Sequence, residues 1–193
     1  MKKLLLHVCC GPCAIYVAQK LREDYHLESN LKFDCTLFFY NPNIWPKEEY
    51  KRRFNVLKHW TGKSDFPLIE GKYEHNKWLE SVSGLEKEPE GGARCSACYQ
   101  MRLEESAKFA KENCFGYLAT TLTIGRNKKA DIINPIGRSV GEKYGIKFIE
   151  GDWKKEGSQE ASCRLSKQEN MYRQNYCGCE FSIRIKVCPE PSA

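Results

Sequence analysis

Cysteine carries most of the chemistry available to this chain, and its spacing is grouped. Seven of the eleven cysteines fall into three sets: Cys9, Cys10 and Cys13 in Cys-Cys-Gly-Pro-Cys, Cys95 and Cys98 as C-x-x-C, and Cys177 and Cys179 as C-x-C. Four thiolates hold a [4Fe-4S] cluster or a structural zinc, and three or four hold a single iron that keeps a position open. Seven thiols therefore supply one four-thiolate centre and leave three over. Cys10 and Cys95 each stand where a helix is predicted to begin, and the free N–H groups of a helix N-terminus favour a thiolate or an anionic cluster. In extended chain adjacent side chains alternate, so Cys9 and Cys10 can face two different centres unless the chain turns at that point. Three chemistries fit these sets: an iron–sulfur centre, a structural zinc on Cys95, Cys98 and two further thiols, and a redox dithiol at Cys10 and Cys13.

The other cysteines read as bland. Cys35 lies in an apolar run, Cys114 on a helical core stripe and Cys163 in a polar helix; Cys188 has no readable context. Eleven cysteines in 193 residues fall short of a disulfide scaffold, and the number is odd. Clustered thiols without disulfide architecture point to a reducing compartment, the cytoplasm. The opening Met-Lys-Lys-Leu-Leu-Leu-His is too short, and is interrupted too early by His7, to be a secretory h-region; it reads as a buried first strand with His7 as a core histidine. Charged residues make up 29% of the chain, and no apolar run approaches the roughly 20 residues of a membrane helix. The net charge is +6, and the last third carries thirteen basic against nine acidic residues, which suits a polyanionic partner.

The elements that must position the thiols follow from periodicity. Lys3 to Val8 is a short apolar run, then the Cys-Cys-Gly-Pro-Cys turn, then a helix from Ala14 to about Glu23 with Pro12 suited to its first turn. Asp34 to Tyr40 predicts a second strand, and Pro46 to Gly62 a helix with Tyr50, Phe54 and Leu57 on one face. Phe66 to Glu70 predicts a third strand, His75 to Ser83 a short helix, and Gly84 to Arg94 a loop with little to order it. Tyr99, Leu103, Ala107, Ala110 and Cys114 mark one face of the next helix. A strand at Tyr117 to Thr121, a helix at Asn127 to Tyr144 and a strand at Ile146 to Glu150 complete the alternation.

Strands alternating with helices predict an α/β fold, a mostly parallel sheet flanked by helices on both faces. Ligands of such sheets bind beyond the carboxyl ends of the strands, at a switch point. The residues there are Cys9 and Cys10, Asn41 and Asn43, Thr120 and Thr121, and Asp152, which in another setting is an ordinary turn or N-cap residue. We read one catalytic domain, 1–193, with an α/β core at 1–151 and a Cys-rich helical extension at 152–193 covering the site. Lys128-Lys129 and Lys154-Lys155 are ordinary solvated pairs or, with Tyr172, Arg173, Gln174 and Tyr176, a grip for phosphates and a base. ATP chemistry on this sheet needs a Gly/Ser-rich phosphate loop after the first strand; Cys-Cys-Gly-Pro-Cys stands there instead, so no ATP is expected.

At these motifs the chain resembles the QueH family of epoxyqueuosine reductases. The matching stretches are Leu5-Leu-His-Val-Cys-Cys-Gly-Pro-Cys13, Phe38-Phe-Tyr-Asn-Pro-Asn-Ile44, Arg94-Cys-Ser-Ala-Cys-Tyr99, Thr120-Thr-Leu122, Asp152-Trp-Lys-Lys155 and Tyr172-Arg-Gln-Asn-Tyr-Cys-Gly-Cys179. Thr123-Ile-Gly-Arg126 departs from the Ser-Pro-x-Lys expected of that loop. The resemblance implies an ATP pyrophosphatase-like (HUP-type) core, a [4Fe-4S] cluster, and two-electron deoxygenation of epoxyqueuosine at the wobble position of tRNA, fed by an external electron donor. On that basis all seven clustered cysteines are metal-ligand candidates. If Cys9, Cys10, Cys95 and Cys98 hold the cluster, Cys177 and Cys179 are free to join a second, mononuclear iron or to act as a redox pair, with Asp152 beside them as a catalytic carboxylate. Asn41, Asn43, Thr120 and Arg173 are the substrate-binding candidates. A zinc-bound RNA-binding module and a thiol–disulfide oxidoreductase are the rival readings.

Overall fold

A computed structural model describes residues 1–24, 31–125, 127–155 and 157–183. Five parallel strands form one sheet: β1 (Lys2–His7), β2 (Phe33–Phe39), β3 (Leu68–Glu70), β4 (Tyr117–Thr120) and β5 (Lys147–Phe148). Their order is β3-β2-β1-β4-β5. The chain moves outward from β1 to β3 and then returns to the other side of β1. The switch point therefore lies between the ends of β1 and β4, where the crevice of an open α/β sheet forms.

Strand β1 runs Leu-Leu-Leu-His and is buried on both sides, as a central parallel strand must be. Leu4, Leu6, Leu37 and Phe39 pack on one face against Ile15 and Val17 of α1 (Gly11–Gln19) and Leu57 and Trp60 of α2 (Lys47–Thr61). Leu5, Phe38 and Leu118 pack on the other against Ala107 and Ala110 of α4 (Ala93–Glu112) and Val140 of α5 (Ala130–Tyr144). The short helix α3 (His75–Ser81) lies against α4, and α6 (Ser158–Gln168) lies along α1. Helices on both faces are the expected architecture. Among the described residues no helix is long and apolar enough to cross a membrane.

Several expected boundaries move, each for a local reason. β3 begins at Leu68: Pro67 before it accepts Leu37 N–H at 2.8 Å but has no N–H to give to the ladder. α5 starts at Ala130 and not at Asn127, behind a 3-10 turn at Leu122–Ile124. β5 is reduced to two residues. Cys114 is not a core residue: α4 stops at Glu112, Cys114 takes φ 59° and its side chain is exposed. The 84–94 segment is not left to itself. The buried Arg94 guanidinium gathers the carbonyls of Leu85, Glu86 and Glu88, and Glu88 Oε2 accepts Ala93 N–H at 3.1 Å at the start of α4.

Candidate metal centre

β1 delivers the first thiols. His7 is fully buried; its Nε2–H donates to the Tyr40 carbonyl (3.1 Å) and its Nδ1 accepts the Thr120 hydroxyl (2.9 Å), so one ring ties β1 to the ends of β2 and β4. Burial, then Arg102, lowers its pKa to about 3, and the ring is neutral. Strand pairing ends there. Cys10 occupies the N-cap position of α1 without a side-chain cap, followed by Gly11 and Pro12 in the first turn. The chain turns here, and the sulfurs of Cys9 and Cys10 lie 3.8 Å apart. With Cys13, one helical turn on, the three sulfurs all lie within 4.8 Å of one another. Hydrogen bonds from Cys10 and then Cys13 hold the Cys9 thiol well below its usual pKa. For Cys10 the bond with Cys13 works downward, but the bond to Cys9 and burial outweigh it and push that thiol up to about 11. Cys13 is raised by its bonds to Cys10 and Cys9. Within the trio Cys9 is thus the thiol whose charged form is favoured.

α4 delivers the second pair. Its first turn places Cys95 against Cys9 and Cys10, beside Tyr99, Leu122 and Ile133. Gly91 N–H donates to Cys95 Sγ at 3.1 Å. Cys98, three residues on, packs instead with Cys179, Trp78 and Val82. Burial raises the thiols of both Cys98 and Cys179.

The tail delivers the third pair on irregular backbone. Arg53 is buried; it donates to Glu49 Oε1 (2.7 Å) and reaches across to the carbonyls of Cys177 (3.0 Å) and Tyr176 (3.3 Å). Trp45 N–H donates to the Gly178 carbonyl at 2.8 Å. Gly178 has φ 132°, and an added Cβ would stand 3.1 Å from both Arg53 and Ile44, so this turn requires glycine. Gln174 Nε2 donates to Cys10 Sγ at 3.1 Å, joining tail to strand end.

The other candidates divide into two kinds. Asn41 and Thr120 are engaged by the framework: Asn41 Nδ2 donates to the Val8 carbonyl at 2.9 Å and its Oδ1 accepts from Arg102, while Thr120 serves His7 and accepts Leu122 N–H at 3.2 Å. Asn43 Oδ1 and Asp152 Oδ1 are buried oxygens without a hydrogen-bond partner among the described residues. Asp152 Oδ2 has Lys155 Nζ at 3.8 Å. Arg173 is exposed and donates to Ser166 Oγ at 2.7 Å. Sequence reasoning missed Arg102 and read Lys128 as solvated or phosphate-gripping; both are buried. Arg102 had a signal, standing four residues after Cys98 on the same helical face. Lys128, in a lysine pair, had none. Cys188 lies outside the described residues.

The model of the family described as epoxyqueuosine reductase QueH matches residues 4–185. The chain belongs to this family. Similar curated proteins, each named epoxyqueuosine reductase QueH, come from several bacteria. That of Staphylococcus epidermidis is 39% identical over 189 residues, covering 93% of this chain and 76% of the relative. That of Histophilus somni is 38% identical over 183 residues, covering 94% and 72%, and that of Thermotoga maritima 35% identical over 186 residues, covering 95% and 91%. Among solved structures, the U34-tRNA thiolase NcsA from Methanococcus maripaludis, solved with its [4Fe-4S] cluster, superposes with a TM-score of 0.61 at 14% identity. The match covers 95% of this chain and 62% of the thiolase. It supports the expected ATP pyrophosphatase-like α/β fold.

Proposed function

We propose that this chain reduces the epoxide of epoxyqueuosine in tRNA to the alkene, with a [4Fe-4S] cluster on Cys9, Cys10, Cys95 and Cys98 and a second iron or a redox dithiol at Cys177 and Cys179. One observation supports it above the rest: three sulfurs lie within 4.8 Å at the switch point with Cys95 packed against Cys9 and Cys10, Cys98 of the same helix packs with Cys179 of the tail, and no described cysteine is in a disulfide. The donor set fits the cofactor, and Asp152 Oδ1 adds a buried oxygen awaiting a partner. When bound, such centres supply electrons singly and Lewis acidity toward oxygen. In the balanced reaction two C–O bonds break and one C=C bond forms, two electrons and two protons enter, and water leaves. An external donor supplies the electrons. Asp152 and Asn43 face the departing oxygen, Arg173 meets the RNA backbone, and the tail excludes bulk water. The free thiols fit a reducing cytoplasm.

Purification without oxygen should give about four irons and four acid-labile sulfides per cluster, with iron in excess of that. Stoichiometric zinc without sulfide would overturn the reading in favour of a structural module. Replacing Cys177 and Cys179 with Ser should abolish epoxide reduction while most cluster absorbance survives; loss of the extra iron would identify ligation, its retention a dithiol. A second partition is favoured by the proximity of Cys13 to Cys9 and Cys10. In it Cys13 replaces Cys98 as the fourth ligand, and Cys13→Ser, not Cys98→Ser, would then lose the sulfide.

A further inference from the structure

The four tryptophans differ in exposure. Trp60 packs on Phe66, Trp78 stands against His75 and Phe181, and Trp153 donates its indole N–H to the Thr120 carbonyl at 2.9 Å; none of the three is more than 7% exposed. Trp45 is 41% exposed, and among the described residues no aromatic ring or cation is stacked on its indole.

Its backbone is held from several directions. Beyond β2, His75 Nδ1 donates to the Pro42 carbonyl (2.8 Å) and the Tyr73 hydroxyl to the Ile44 carbonyl (2.7 Å). Trp45 N–H donates to the Gly178 carbonyl (2.8 Å), and the Tyr176 hydroxyl donates to the Trp45 carbonyl (2.5 Å). Gly178 stands between Cys177 and Cys179, so Trp45 is anchored to the turn that carries the tail thiols. The tail's own aromatic residues are already engaged. The Tyr172 hydroxyl donates to Glu49 (3.2 Å) and its ring has the Arg52 guanidinium 4.0 Å above it, while the Tyr176 ring has Arg53 at 5.1 Å. Of these three rings, Trp45 keeps the open face. On α2, which follows it, Lys47, Lys51 and Arg52 are exposed and outweigh Glu48, and Glu49 is neutralised by Arg53.

A fixed, exposed indole beside cations suits a single-stranded nucleic acid: the ring stacks on a base while the cations meet the backbone. An enzyme that does chemistry on a base takes it out of the stack, and the adjoining base is then left with an uncovered face. We propose that Trp45 stacks on a nucleotide adjoining the modified one in the anticodon loop of the tRNA. The inference deepens the tRNA reading above and rests on it.

The test is the affinity of the iron-loaded protein for tRNA carrying epoxyqueuosine, measured over a range of salt and without an electron donor, so that the epoxide persists. Trp45→Ala should weaken binding roughly fivefold to a hundredfold at an unchanged slope of log affinity against log salt, because a stack is lost and no phosphate contact is. Trp45→Phe should keep most of the affinity. Trp45→Leu, which keeps apolar bulk without a π face, should not. Iron, sulfide and circular dichroism of the same samples should match wild type. Wild-type affinity in a folded Trp45→Ala protein overturns the inference, and so does Trp45→Leu binding as tightly as Trp45→Phe, which would make the contact merely apolar. If Trp45→Ala does not fold, the comparison of Trp45→Leu with Trp45→Phe decides. Wild-type protein without affinity for this tRNA sinks the tRNA reading itself, a result distinct from all of these.

Discussion

The strand-end thiols and the tail thiols reach the same crevice by different means. Cys9, Cys10 and Cys13 are carried by a buried parallel strand and the helix that follows it, so backbone hydrogen bonds and apolar packing set their positions before any side chain takes part. Cys177 and Cys179 follow α6 on non-repetitive backbone, placed by side chains reaching from elsewhere: Arg53 to two carbonyls, Tyr172 to Glu49 (3.2 Å) and Tyr176 to the Trp45 carbonyl (2.5 Å). Secondary structure therefore presents one half of the site, and a buried ion pair the other. A cofactor added to such a protein finds the first half preformed and can stabilise the second, which suits ligands that act in turnover.

Breaking the ion pair should separate the halves. Arg53→Met removes the tail's two hydrogen bonds from this residue and leaves Glu49, 8% exposed, as a buried carboxylate without its cation. Removing one partner of a buried pair costs about 3 to 5 kcal/mol. Limited proteolysis should then cut between Met171 and Cys179 well before the α/β core, and denaturant midpoints should fall. Equal protection of tail and core in the variant would show that the tail is held by something other than Arg53.

The framework half is tested at His7. His7→Leu keeps the volume but strips the Tyr40 carbonyl and the Thr120 hydroxyl of a buried partner at the junction of β1, β2 and β4. The expected loss is about 1 to 3 kcal/mol, smaller than at Arg53, because no charge is stranded. Hydrogen exchange should speed at Val8, Asn41 and Thr121 amides while the tail keeps its protection. Faster exchange in the tail alone would reverse the assignment of the two halves.

Legibility in the sequence follows the same division. The parallel α/β fold was readable because β1 and β2 each carry a short apolar run (Leu4 to Leu6, Leu37 to Phe39) and α4 repeats its apolar residues at helical spacing, signals local to each segment. The switch-point residues were readable for the same reason: topology fixes what lies beyond a strand end. Cys114 was misread because the stripe continues two residues past the helix, and only the turn at φ 59° takes the thiol out of the core. Loop 84–94 looked unordered because its order comes from Arg94, a single side chain bonded to three carbonyls. Lys128 was unreadable on principle. A lysine beside a lysine is normally solvated, and only the fold buries this one.

Beyond the two halves lies the rim, where the smallest effect is expected. Lys129, Arg138, Lys154 and Lys155 border a groove that reaches Asp152. Its positive charge is partly answered from within: Arg138 pairs with Glu150 at 2.8 Å and Lys155 with Asp152 at 3.8 Å. Lys154 is not a free surface charge either, because its ammonium binds the Lys128 carbonyl, and changing it would disturb the buried lysine. Lys155 is the cleaner probe, since it is exposed and its one described partner is distant. If the RNA backbone follows this groove, Lys155→Gln should weaken tRNA binding a few-fold at low salt and lower the slope of log affinity against log salt by about one. The cluster spectrum should not change, since no thiol ligand is touched. Unaltered affinity and slope would show that Lys155 is solvated surface and that the tRNA approaches from another side of the strand ends.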